Sequence, residues 1–107
     1  MAKPKILEIR EKLEWKAKDV DLSYDAKIII QDLKDANEVI VCFGISETSF
    51  VTMVYPKALS GKWVSTMAKN DTSTEVRGSA RINFETGEVL NGTKGYIDLA
   101  IKKIVWR

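Results

Sequence analysis

Two apolar runs on either side of a polar bend dominate the hydropathy pattern of this chain: residues 39–45 and 49–55 flank Ser46-Glu47-Thr48. In the first run Val39, Val41, Phe43 and Ile45 share one strand face and Ile40, Cys42 and Gly44 the other, so neither face is polar. That pattern predicts a strand covered on both sides. In the second run Val51, Met53 and Tyr55 alternate with Phe50, Thr52 and Val54. Both runs are of strand length and rich in β-branched and aromatic residues, and Pro56, with no N–H to donate, ends the second. A hairpin at the centre of a β core is the expectation.

The flanking segments extend the same picture. Residues 5–18 fit two periods. A helix would line up Ile6, Ile9, Leu13, Ala17 and Val20, while a strand puts Leu7, Ile9, Leu13, Trp15 and Ala17 on one face and mostly charged residues on the other. The strand leaves fewer large apolar groups in water and is preferred, with Trp15 in the core. Residues 19–25 read as an acidic turn, residues 26–33 as a second strand, and residues 34–37 as a bend into the hairpin. After Pro56, residues 57–61 read as one helical turn closed by Gly61. A strand over 62–67 places Trp63 in the core, a polar bend follows at 69–73, and residues 75–84 put Val76, Ala80, Ile82 and Phe84 opposite Glu75, Arg77, Arg81 and Asn83. Glu85-Thr86-Gly87-Glu88 is a hairpin loop wanting positive φ at glycine, and Val89-Leu90 is its partner strand. Asn91-Gly92 reads as a second tight turn before a last strand over 96–106, whose end leaves Trp106 partly covered.

Short connections between seven or eight short strands force antiparallel neighbours. The predicted fold class is all-β, an antiparallel β-sandwich or small β-barrel in one domain spanning 1–107, with a short N-terminal helix as the alternative for the first segment. No apolar run approaches the ~20 residues of a spanning helix. The N-terminus carries charges where a secretory signal needs an apolar stretch, which points to the cytoplasm or to a virion assembled there.

Composition prunes the chemistry. The 107 residues contain no histidine and one cysteine, so the commonest general base and metal ligand are missing, and no cofactor or metal is expected. Cys42, inside the most apolar strand, reads as a buried, inert thiol. Asp19, Asp21 and Ser23 have the spacing that opens a calcium loop, but Tyr24 stands where that loop needs glycine and Ile30 where it needs glutamate. The carboxylate pairs Asp32/Asp35 and Glu85/Glu88 fall in bends and read as caps of their own backbone. Asn70 and Asn91 each open a glycosylation sequon, read as chance for want of a secretion signal.

One asymmetry remains. Residues 1–53 carry 8 Lys/Arg against 10 Asp/Glu, while residues 54–107 carry 9 against 5. Lys62, Trp63, Arg77, Arg81, Lys94, Tyr96, Lys102 and Lys103 therefore form a candidate nucleic-acid-binding set, aromatic residues among cations. Against it, outward positions of a sheet are polar in any case, and Glu75, Glu85, Glu88 and Asp98 interrupt the charge. The leading expectation is a non-enzymatic binding or assembly module, acting through a protein partner or self-association. Single-stranded nucleic-acid binding and an apolar ligand held inside a barrel are the alternatives.

Overall fold

The computed structural model describes residues 14–46, 49–69, 75–93 and 99–107. Eight strands, β1 (Lys16–Leu22), β2 (Lys27–Ile29), β3 (Glu38–Ser46), β4 (Ser49–Pro56), β5 (Trp63–Lys69), β6 (Glu75–Asn83), β7 (Glu88–Asn91) and β8 (Ala100–Trp106), are joined by connections that include two 3-10 turns, Gln31–Asp35 and Lys57–Leu59. They form two four-stranded antiparallel sheets, β1-β8-β3-β4 and β2-β7-β6-β5. The all-β antiparallel expectation holds, and among the described residues no ladder closes the two sheets into a barrel.

The central hairpin forms as the pattern requires, with Val39 opposite Tyr55, Val41 opposite Met53 and Phe43 opposite Val51. All six are buried. Phe43 crosses to the second sheet and lies on Gly78, where an added Cβ would stand 2.7 Å from the ring. Tyr55 and Phe84 meet with ring centroids 6.0 Å apart, so apolar contact joins the two inner faces into one core. Leu33 and Ile30 enter that core from the 3-10 turn, because three-residue spacing brings both to its inner side. The strand expected over 26–33 is therefore only β2 followed by this turn.

Several sequence expectations are corrected. The strand β3 is covered on one face only: Ile40 and Cys42 are half-buried on its outer side, and on β4 Val54, opposite Ile40, and Phe50, opposite Gly44, are 57% and 48% exposed. Trp15 precedes β1 and is 43% exposed under the Arg107 guanidinium, 4.1 Å from the ring centroid. It lies outside the core because β1 is an edge strand with little of the second sheet beneath it. Residues 5–13 of that expected strand lie outside the described residues. The acidic turn begins later than expected, since Asp19 through Leu22 belong to β1 and only Ser23–Asp25 turn, with Asp25 at φ 66.

Trp106 is the opposite case, 5% exposed at the end of an interior strand. Strict alternation along β8 would mix core and solvent positions. The register instead slips at Lys102, with Lys103 opposite Cys42 but Ile101 already opposite Phe43. This bulge lets Lys102 and Lys103 both point outward while Ile101, Ile104 and Trp106 all reach the core. Pairing of Arg107 N–H with the Glu38 carbonyl and of Arg107 Nε with Glu38 Oε1 at 2.7 Å anchors this end.

Turn glycines separate into two kinds. Gly61 and Gly87 both take φ 79, as the helical turn and the hairpin loop require. Gly92 does not, and Asn91 is not a turn residue. Asn91 is fully buried, donating from Nδ2 to the Leu22 and Leu99 carbonyls at 2.8 Å each and accepting at Oδ1 from Thr93 N–H at 2.9 Å. A side chain so enclosed offers no glycan acceptor; Asn70 lies outside the described residues.

Candidate functional site

The eight cations and aromatics singled out in the sequence do not form one surface. Lys102 and Lys103 stand on the outer face of the first sheet, where β1 brings acid residues beside them: Lys102 Nζ is 2.6 Å from Asp21 and Lys103 Nζ 3.4 Å from Asp19. Asp19 and Asp21 thus serve as ion-pair partners on a strand instead of opening a cation loop. Among the described residues no cluster of three or more carboxylate, thiol or imidazole groups is gathered for a metal. Lys94 and Tyr96 lie outside the described residues. Lys62, Trp63, Arg77 and Arg81 belong to β5 and β6 of the second sheet, or directly precede it.

Trp63 opens β5 because the preceding connector is tied down. Tyr55 Oη lies within donating distance of the carbonyls of Leu59, at 2.6 Å, and of Lys62. Gly61 N–H donates to the Ile82 carbonyl, and Phe84 N–H to Ser60 Oγ, each at 2.8 Å. From this anchored start the alternation of β5 turns Trp63 outward, 51% exposed, contrary to its expected core position. Arg81 is its partner on β6, with the guanidinium carbon 5.0 Å from the ring centroid. The indole reaches onto Gly92, where a Cβ would come within 2.3 Å of the ring, so glycine there lets the ring lie against the backbone.

The face continues in regular rows. Beyond Trp63 and Arg81 come Ser65 and Ser79, their hydroxyls 3.3 Å apart, then Met67 and Arg77, both exposed. A groove of about 450 Å³ follows these rows, lined by Ser65, Met67, Arg77, Ser79 and Thr93 among others. Thr93 fastens its floor, its Oγ1 accepting from Ser79 N–H at 3.0 Å. In the other direction, Arg81 pairs with Leu90 and Leu90 with Lys27, adding a cation that sequence reading missed. No local signal marks Lys27, because only the β2–β7 ladder places it in this row.

The outer face of the first sheet is built differently. Ala17 opposes Val105, Val105 opposes Ile40, and Ile40 opposes Val54, which makes an apolar row across all four strands. Phe50 sits four residues from Val54 on the same face of β4, opposite Gly44. Cys42 is half-buried in the next row beside Lys103, contrary to the fully buried thiol expected. Partial burial raises its pKa, and the nearby Lys103 ammonium offsets this in part. Comparison with protein families, curated proteins and solved structures finds no match to this chain.

Proposed function

We propose that this protein is a non-enzymatic assembly module whose β4 edge pairs with β4 of a second copy. The observation that carries this reading is the character of that edge. Natural edge strands are usually blunted by charge, bulges or shortness. Strand β4 runs for eight residues, contains no charged residue, and pairs only with β3 among the described strands. Its outward side chains Phe50, Thr52 and Val54 are all exposed.

A second copy fits because this row is self-complementary. Antiparallel pairing about a two-fold axis at Thr52 sets Phe50 opposite Val54 of the second copy and Thr52 opposite its counterpart, with no like charges facing each other. The apolar row then continues from one sheet into the next.

Sedimentation equilibrium tests the reading directly. The wild-type chain is expected to dimerise as concentration rises through the micromolar range, and Thr52→Lys, which faces two ammonium groups across the axis, to sediment as a folded monomer. A wild-type monomer at ~100 µM would refute it. So would a dimer that Thr52→Lys leaves unchanged.

A further inference from the structure

We infer that the outer face of the second sheet is a site for single-stranded nucleic acid, with Trp63 and Arg81 as its stacking platform. The site lies on a different sheet from the β4 edge and does not depend on self-association.

Three observations converge on this ligand. First, a half-exposed indole carries a guanidinium over it, and such an indole–guanidinium stack presents a planar surface of the kind that stacks bases without regard to sequence. The core does not need Trp63 there, and Gly92 holds the ring against the sheet. Second, cations accompany the platform: Lys62 precedes it, Lys27 lies in its row across the sheet, and Arg77 stands two rows beyond. Third, the rows recur every second residue, ~6.6 Å along a strand, about the spacing of successive phosphates in an extended chain. The Ser65 and Ser79 hydroxyls between the platform and Arg77 are placed to hydrogen-bond the intervening sugar-phosphate. A duplex keeps its base faces stacked internally, so the platform selects single strands. A sulfated polysaccharide matches the cations but offers the indole C–H groups in place of a π-face.

Fluorescence anisotropy of a labelled oligo-dT, followed from ~0.05 to ~0.2 M salt, tests the assignment. Binding is expected to weaken about 5- to 100-fold in Trp63→Ala and to recover largely in Trp63→Phe. Arg81→Gln is expected to make the salt dependence shallower by about 0.7 in log–log slope, one phosphate contact. Lys102→Gln/Lys103→Gln, on the other sheet, is expected to leave the slope near the wild-type value. Circular dichroism of each variant verifies folding, and Thr52→Lys run in parallel keeps this result separate from the dimer. No binding at ~0.05 M salt would overturn the proposal. Equal loss in the Lys102/Lys103 variant, or heparin competing as well for Trp63→Ala as for wild type, would also overturn it.

Discussion

The two sheets have the same number of strands and share one core, yet their outer faces differ in kind. The first carries an apolar row from Ala17 to Val54, and its Lys102 and Lys103 are matched by Asp21 and Asp19. The second carries an indole with a guanidinium over it, and beside them paired hydroxyls that line a groove. Strand pairing sorts the charges of the two halves: β1 lies beside β8, where Asp19 and Asp21 pair with Lys103 and Lys102, while Lys62, Arg77 and Arg81 lie with the second sheet, which also carries Glu88 on β7. Position in the sequence therefore says little about which charges meet. Ladder partners decide it.

The sharpest break of this comparison is between inner and outer aromatics. Phe43→Ala, which removes the contact between the sheets, is expected to destabilise the fold by ~3–5 kcal/mol in urea denaturation, whereas Phe50→Ala should cost ~0.5 kcal/mol or less. Trp106→Ala belongs with Phe43, and Trp15→Ala with Phe50. Equal losses at Phe43 and Phe50 would mean that the outer face of the first sheet is not open.

Next in size is Asn91→Leu. It leaves the Leu22 and Leu99 carbonyls without the amide that now serves both, an expected loss of ~2–4 kcal/mol in the same assay. A smaller comparison uses one substitution on two faces of one sheet. Gly78→Ala pushes a methyl into the Phe43 ring and is expected to cost ~1–3 kcal/mol, since the core has nowhere to move it. Gly92→Ala meets a ring that can swing into solvent, so stability should change by less than ~1 kcal/mol. Displacement of Trp63 should still alter the tryptophan emission.

The least effect is expected at Cys42. Its folded pKa is raised, so the thiol's contribution to stability is full below the unfolded value and is lost as pH rises through the folded one. Labelling by a thiol reagent on native protein should be slower than after denaturation and should accelerate as pH rises toward the raised pKa of the thiol. A native rate equal to the denatured rate at neutral pH would contradict the half-buried placement.

Much of the fold was legible because its determinants are local. Alternation in 39–45 and 49–55 with a bend between them specifies a hairpin, and the outward placement of Arg77, Arg81 and Asn83 follows from the period of β6. Gly61 and Gly87 announce their turns because few other residues take positive φ at so little cost. The candidate site was half legible: the residue types were visible, but not which of them share a surface.

What only the tertiary structure decided rests on long-range pairing. Trp15, Trp63 and Trp106 are chemically alike, and their burial depends on whether each strand is an edge, faces outward or lies between neighbours. The bulge at Lys102 is a register effect, as is the meeting of Lys103 with Asp19 and Cys42. Gly92 signals a turn in sequence but serves as the bed of an indole nearly thirty residues earlier in the chain. By itself the sequence determined the strands and the side chains each could offer outward; the ladders between strands distant in sequence determined which of those side chains meet, because a side chain's neighbours in a sheet come from pairing across the chain and not along it.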